Sequence, residues 1–375
     1  MQLIREYHLK SLFSRELFEI YFLLGMRAFS LSLIGLFLPI YLYSELAYSL
    51  NGVIYFQLAF CIAFALFQFI ATRVVSEFGA KHSMIASIPL FMASLTLIIF
   101  LKSYAFLFYP AAILLGLQAA LFWVGFHVDA VLNGKKKNFG KESAIISSLT
   151  MLPSVIGPVL GAFLILLFSF NVLFIVALLV IAVSFIPLLF SKEVYSKHDL
   201  DIGAFFNKKH LKYFFGYLSQ GMAHVAGGVF WPIFIFLILG SYVSLGIYGT
   251  IATFVVVIVT LILGKFSDEG NKSLIMRIAA IFNSLFWILK IFVSNLFQIF
   301  AIGSLRNLSS HAIDVPFLAK SYGKAKKNHQ IGFLLYRETS LRIGQIFCLL
   351  LVLIFGNIKV AFGAAGVASL LFLLF

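Results

Sequence analysis

Several ionisable or amide-bearing side chains lie inside long apolar stretches, where charge is costly and usually serves a function. They are Arg27, Gln220, His224, Arg306, Glu338 and Arg342. Arginine presents a planar set of donors that suits carboxylates and phosphates. A buried carboxylate beside a cation can exchange partners when it takes up a proton. These residue types therefore indicate binding of a charged solute and proton exchange, with no covalent step.

Arg27 and Arg306 are the candidates for contact with an anionic or carboxylate-bearing solute. A structural alternative stays open for Arg27, which can instead form a permanent ion pair with Glu338 or Glu19. Glu338 and Arg342 are four residues apart, so they share one helix face and can pair. This spacing makes Glu338 the candidate for proton coupling, with Arg342 as its partner.

Composition places the chain in a membrane. Of the 375 residues 62% are hydrophobic and 11% are charged, and the mean hydropathy is +1.05. The apolar runs are continuous rather than alternating, and a bilayer core leaves backbone groups no water to bond, so the predicted fold class is an all-α polytopic membrane protein. The net charge of +14 is explained by topology rather than by nucleic acid.

Twelve apolar stretches are long enough to cross a bilayer at about 1.5 Å per residue. We predict helices at 18–43, 50–72, 84–101, 105–129, 144–168, 172–190, 213–239, 241–263, 274–293, 296–319, 331–355 and 358–375. A polar, lysine-rich segment at 192–212 divides two six-helix bundles, 1–191 and 213–375. Most Lys and Arg residues fall on its side of the membrane, so that side and both termini are predicted to be cytoplasmic in the plasma (cell) membrane. Lys290, near the opposite end of its helix, is expected to extend to the interface.

The two bundles resemble each other in sequence. The run Phe37-Leu38-Pro39-Ile40-Tyr41-Leu42 matches Phe230-Trp231-Pro232-Ile233-Phe234-Ile235, and the same offset sets Arg27 opposite Gln220. Ser76-Glu77-Phe78-Gly79-Ala80-Lys81 has a counterpart in Ser267-Asp268-Glu269-Gly270-Asn271-Lys272. His127 and Asp129 have a weaker echo in His311 and Asp314. These matches indicate a duplicated six-helix unit.

The duplicated acid-glycine-lysine turn resembles the signature loop of the major facilitator superfamily, as do the twelve spans and the central linker. The resemblance covers nearly the whole chain and implies a transporter that works by alternating access about a central cavity. It further implies gating roles for Glu77, Gly79, Lys81, Asp268, Gly270 and Lys272, to which Asp129 and Asp314 are added. Ordinary charged turns that satisfy topology are the alternative. In the cavity-forming seventh helix, His224 and Trp231 join Gln220 as candidate cavity residues.

The fifth predicted helix contains Pro153-Ser154-Val155-Ile156-Gly157-Pro158-Val159-Leu160-Gly161-Ala162. It resembles the antiporter signature of the same superfamily through Gly157, Pro158 and Gly161, with Ala162 in place of a final glycine. The resemblance implies a bent helix and favours export. A packing helix without influence on direction is the alternative.

The sequence gives no support for an enzyme: it has no nucleotide-binding Gly-x-x-x-x-Gly-Lys loop and no His-Glu-x-x-His zinc pair. We therefore expect a proton-linked transporter of a small organic solute, without cofactor or metal, working as a monomer in the lipid bilayer. Two alternatives stay open, a transport-inactive membrane sensor or assembly partner with this fold, and a lipid or glycolipid flippase.

Overall fold

The computed structural model describes residues 15–133, 139–186, 210–266, 272–327 and 330–375. Within these ranges every regular element is helical, and twelve long helices follow one another in the predicted order. The predicted all-α, twelve-helix fold is therefore confirmed. Residues 192–209 of the predicted linker lie outside the described residues.

The N-terminal bundle contains α1 to α6. The first helix, α1, comprises Arg15–Gly35, Leu38–Ile40 and the π-helical turn Tyr41–Glu45. The others are α2 (Leu50–Phe78), α3 (Ala80–Phe100), α4 (Phe108–Asn133, after the 3₁₀ turn Ala105–Leu107), α5 (Phe139–Leu167) and α6 (Phe170–Phe185).

The C-terminal bundle contains α7 to α12. Helix α7 comprises Leu211–Val225, the π-helical turn Ala226–Phe230 and Trp231–Leu239. The others are α8 (Tyr242–Phe266), α9 (Lys272–Leu289, then the 3₁₀ turn Lys290–Phe292), α10 (Leu296–Lys327), α11 (Gln330–Phe355) and α12 (Lys359–Ser369, then the 3₁₀ turn Leu370–Leu374). Among the described residues, seven helices are long and apolar enough to span a membrane, and four further apolar helices are shorter.

Some helices extend beyond their predicted ends on the side that carries the α2–α3 turn, here called the basic face. Helix α2 continues to Phe78 rather than 72, and α10 continues to Lys327 rather than 319. Hydropathy marks only the part of a helix that crosses the apolar core, so polar extensions are missed. The predicted α2–α3 loop is reduced to Gly79, whose φ of 97° is one that glycine adopts without steric cost.

The matched proline runs of α1 and α7 both coincide with irregular helix. Pro39 precedes the π-helical turn Tyr41–Glu45, and Pro232 follows the π-helical turn Ala226–Phe230. Proline lacks an N–H and clashes with the turn before it, so the π-helical turn before Pro232 accommodates the disrupted hydrogen-bond ladder. The π-helical turn of α1 follows Pro39 and forms the end of that helix. Each bundle therefore places a local irregularity in its first helix.

Helix α5 packs closely against helices of both bundles. A Cβ added to Gly157 would lie 1.8 Å from Ser32 Oγ of α1, and one added to Gly161 would lie 2.6 Å from the Leu33 carbonyl oxygen. On the other side, a Cβ on Gly246 of α8 would lie 2.7 Å from the Pro158 carbonyl oxygen. The helix runs unbroken through Pro153 and Pro158. Its small residues therefore allow close approach of α1 and α8.

Candidate functional site

A polar pocket lies inside the C-terminal bundle. Helices α7, α9, α10 and α12 line it with Ser219, Gln220, Ala223, His224, Asn283, Arg306, Ser310, Ile313, Asp314, Ser369 and Phe372. Its cavity volume is about 20 Å³, room for about one water molecule. Three predicted cavity residues, Gln220, His224 and Arg306, are brought together here. His224 lines the pocket and is exposed although it lies within α7.

Asp314 is the acidic group of the pocket. Gln220 Nε2 donates a 2.6 Å hydrogen bond to Asp314 Oδ1, and Ser310 Oγ donates one of 3.1 Å to Oδ2. The Ser310 contact follows from the four-residue spacing on α10. The sequence hypothesis grouped Asp314 with the gating residues, whereas the structure places its carboxylate in the pocket, within α10.

Arg306 lies about 12 Å along α10 from Asp314 at 1.5 Å per residue. Its Nη1 makes a 3.3 Å hydrogen bond to Asn307 Oδ1, and its guanidinium carbon is 4.4 Å from the centre of the Trp287 ring. Its Nε is buried without a hydrogen-bond partner. The pocket is therefore dipolar, with a cation at one end and a carboxylate at the other.

Polar residues of α9 and α12 support this arrangement. Asn283 Nδ2 donates to Ser369 Oγ at 2.8 Å, and Ser309 Oγ contacts Asn283 Oδ1 at 3.2 Å and the Arg306 carbonyl oxygen at 2.9 Å. Such contacts hold three helices in one register, since each buried polar atom is expensive to leave unpaired. The sequence hypothesis did not include Asn283, Ser309 or Ser369.

Lys290 is the main functional candidate that sequence reasoning missed. The expectation that it extends to the interface is wrong, because only 1% of the residue is exposed. Its Nζ lies 3.8 Å from the centre of the Trp231 ring and 4.5 Å from that of Trp287. The sequence does show Lys290 one turn after Trp287 at the end of an apolar helix. This spacing alone does not determine the direction in which the lysine side chain points.

Trp231 is buried and lies next to Lys290, outside the polar pocket. Its Nε1 donates a 2.8 Å hydrogen bond to Tyr248 OH, and its ring makes an edge contact with Phe362 of α12. The hydrogen bond gives the indole N–H the partner that buried tryptophan requires. Trp231 therefore packs against the buried Lys290 side chain.

Arg27 lies in the N-terminal bundle and is 2% exposed. Its Nη2 donates a 2.8 Å hydrogen bond to Gln118 Oε1 of α4, and its guanidinium carbon lies 3.8 Å from the centre of the Phe122 ring. Its Nε and Nη1 are buried without a hydrogen-bond partner. The described contacts do not include Glu338, the ion-pair partner considered from sequence, and the side chain of Glu19 lies outside the described residues.

Glu338 and Arg342 form the predicted pair, with Arg342 Nη2 3.4 Å from Glu338 Oε2. Arg337 also pairs with Glu338. His127 of α4 reaches this group from the other bundle: its Nε2 accepts from Arg337 Nη1 at 2.6 Å and lies 3.4 Å from Glu338 Oε1. Its Nδ1 is 2.6 Å from Tyr322 OH. The cluster therefore joins the two bundles rather than lining the pocket.

A second cross-bundle contact lies beside it, where Gln68 Nε2 of α2 donates a 2.8 Å hydrogen bond to Thr339 Oγ1 of α11. We call Gln68, His127, Tyr322, Glu338 and Thr339 the clamp. All five lie toward the basic-face ends of their helices. On the opposite face, Phe170 of α6 contacts Tyr242 of α8, with 5.5 Å between ring centres. The bundles therefore touch on both sides of the membrane interior.

Positive charge exceeds negative charge inside the described helices. Asp314 is held by neutral donors, and Glu338 is shared by Arg337 and Arg342. Within the described ranges no carboxylate lies within salt-bridge distance of Arg27, Lys290 or Arg306. A cation–π contact contributes up to about 2 kcal/mol, whereas burying an ion costs several kcal/mol. The aromatic contacts alone therefore leave these three charges undercompensated.

The gating candidates are only partly visible. Glu77 accepts a 2.8 Å hydrogen bond from Arg73 Nε on its own helix rather than from the other bundle. Lys81 is buried in the first turn of α3, and Asp129 is half-buried on α4. Asp268 and Gly270 lie outside the described residues, as does the side chain of Lys272. Gating by these turns stays a prediction.

Three solved structures share this architecture. The E. coli fucose:proton symporter FucP matches with a TM-score of 0.68 and 11% identity, covering 95% of this chain and 96% of that one. A second structure of FucP, in the outward conformation, matches with the same score at 12% identity. The human organic anion transporter MFSD10 matches with a TM-score of 0.65 and 12% identity, covering 96% and 99% of the two chains. At such identities the likeness establishes the fold alone.

No curated protein matches the chain in sequence. A family model does: that of the Major Facilitator Superfamily matches residues 20–216. This match covers more than half of the chain and agrees with the twelve-helix architecture and with the residues that carried the resemblance. The protein is a member of the Major Facilitator Superfamily.

Proposed function

We propose that the protein is a proton-linked secondary transporter that moves a small organic solute across the plasma membrane by alternating access. The observation that carries the proposal is the dipolar pocket of Arg306 and Asp314 in the membrane interior. Charged groups are retained in such a place when they bind or conduct something. The pocket lies inside the C-terminal bundle and is lined on one side by α7, the helix that the superfamily resemblance expects to face the central cavity.

Coupling is assigned to Glu338. Its carboxylate pairs with Arg337 and Arg342 and contacts His127 of the other bundle. Protonation neutralises Glu338 and removes its ion pairs with Arg337 and Arg342. Arg337 is also the donor to His127 of the other bundle, so loss of its ion pair releases the side chain that makes this cross-bundle contact. Separation of the bundles on the basic face then becomes less costly, so a proton gradient can bias the equilibrium between the two conformations.

Export is the proposed direction, with both termini in the cytoplasm and the monomer as the working unit. The direction rests on the resemblance of Gly157, Pro158 and Gly161 to the antiporter signature. The close approach of α5 to α1 and α8 supports a role for these residues in the contact between bundles. The orientation rests on the excess of Lys and Arg on the basic face.

The test is solute flux in proteoliposomes under an imposed pH gradient, with a panel of anionic, cationic and neutral organic solutes. We expect one solute class to accumulate in the wild type, and Glu338→Gln to retain exchange of that solute while losing gradient-driven accumulation. Retained exchange also demonstrates that the variant is folded. Lys102→Met is the matched control, because Lys102 is exposed and pairs with Glu45 outside the pocket and the clamp.

Wild-type flux that is the same with and without the pH gradient would reject proton coupling. The protein would then be a facilitator that moves its solute without an ion gradient. Absence of flux for every solute in a panel spanning these charge classes would favour the transport-inactive sensor.

A further inference from the structure

Two cations share one aromatic ring in the C-terminal bundle. Lys290 Nζ lies 4.5 Å from the centre of the Trp287 ring, and the Arg306 guanidinium carbon lies 4.4 Å from it. These two distances put the charges at most about 9 Å apart. Like charges at that separation repel one another where burial removes the water that would screen them. The arrangement is therefore unfavourable unless something negative is bound beside it.

Among the described residues no carboxylate lies within ion-pair distance of either cation. Asp314 lines the same pocket as Arg306 but lies about two helical turns further along α10, where it accepts hydrogen bonds from Gln220 and Ser310. Two buried donors at the same place also lack acceptors, namely Arg306 Nε and Trp287 Nε1, and Trp287 itself is fully buried. Two uncompensated cations and two unpaired N–H groups together specify an acceptor with negative charge.

Gly227 of α7 lies beside the pair. A Cβ built on it would make ordinary van der Waals contacts, 3.6 Å from Arg306 Nη1 and 3.7 Å from Trp287. Arg306 lines the polar pocket, so a solute that enters as the pocket opens meets Arg306 first. Trp231 lies against Lys290, and Phe362 packs on both Trp231 and Trp287.

We propose that Lys290, Arg306 and Trp287 bind the carboxylate or another oxyanionic group of the transported solute. The proposal rests on the transport function above and names its substrate class, an organic anion. Arg306 supplies planar paired donors, Lys290 supplies a compact charge, and Trp287 Nε1 supplies a neutral donor. Trp231 and Phe362 contact the apolar part of the solute.

The site contains two of the three tryptophans, so their fluorescence reports its occupancy. Trp123, the third, is partly exposed on α4, and Trp123→Phe removes its signal. In this background we would titrate purified full-length protein with iodide, an anionic quencher, and with acrylamide, a neutral one. Benzoate, inorganic phosphate and uncharged benzamide would then be tested as competitors of iodide. Binding is thus measured without transport.

We expect saturable iodide quenching that benzoate relieves and benzamide does not. Relief by phosphate as well would indicate that the oxyanion suffices without a ring. Lys290→Met should weaken iodide binding at least fivefold, Lys290→Arg should restore most of it, and Lys102→Met should leave it unchanged. Restoration by Lys290→Arg also shows that the loss in Lys290→Met is not misfolding.

Iodide quenching that is linear, equal to that by acrylamide and insensitive to Lys290→Met would overturn the proposal. Transport of cationic or neutral solutes alone in the flux assay would likewise overturn it while leaving the transport function intact. Anion binding without flux of any solute would support the anion site and contradict the proposed transport function.

Discussion

At the residue scale, the charges inside the helices divide into two groups. Glu338 and its arginines compensate one another on α11, and His127 of α4 joins this group to the other bundle. Arg27, Lys290 and Arg306 have aromatic and amide contacts but no carboxylate within the described ranges. Uncompensated charge lowers stability, so its retention indicates a function that outweighs the cost.

Arg27 provides the sharpest test of this division. Replacing buried charged groups by apolar residues of similar size is often neutral or stabilising by about 1–4 kcal/mol. We expect Arg27→Met to unfold at the same or a higher temperature in detergent, while solute flux falls at least tenfold. Lys102→Met, at an exposed lysine, should change neither quantity. A lower unfolding temperature with normal flux would instead make Arg27 a structural residue.

At the element scale, much of the fold is predictable because bilayer thickness imposes a helix length that hydropathy detects. The rotation of each helix about its own axis is not predictable in the same way, because the faces that contact lipid and the faces that contact protein are both apolar. Lys290 illustrates the difference: its helix was predicted, but its burial against Trp231 depends on a contact with α7, which is distant in sequence. Contacts such as that of His127 with Glu338 require two distant helices to be placed in three dimensions.

The contact between α5 and α8 gives the element-scale prediction. A Cβ on Gly246 would lie 2.5 Å from Ala162 Cβ and 2.7 Å from the Pro158 carbonyl oxygen. Neither atom can move without its helix, so Gly246→Ala should destabilise the protein by about 1–3 kcal/mol and slow flux. Gly323 of α10 has nothing within 4 Å of an added Cβ, so Gly323→Ala should be neutral or slightly stabilising. Equal unfolding temperatures for the two variants would contradict the close packing.

At the scale of the whole molecule, the bundles meet through the clamp on the basic face and through aromatic contacts on the opposite face. Alternating access requires these two sets of contacts to break in turn. Gly228 of α7 lies four residues from His224, so both occupy one helix face, and Gly228 is exposed with nothing within 4 Å of an added Cβ. A reagent that reaches this position therefore reports which side of the protein is open.

The most direct test of alternating access is the labelling of Gly228→Cys by a membrane-impermeant thiol reagent, applied separately to each face of oriented proteoliposomes. The background is Cys61→Ser with Cys348→Ser, which removes both native thiols, each of them buried. We predict labelling from both faces. A parallel sample also carries Gln68→Cys and Thr339→Cys. A reversible disulfide first protects the Gly228→Cys thiol, and a short bifunctional thiol reagent then joins the thiols introduced at 68 and 339. The Gly228→Cys thiol is released afterwards. In that sample only labelling from the basic face should disappear. Labelling confined to one face in the untethered protein would contradict alternating access about this pocket.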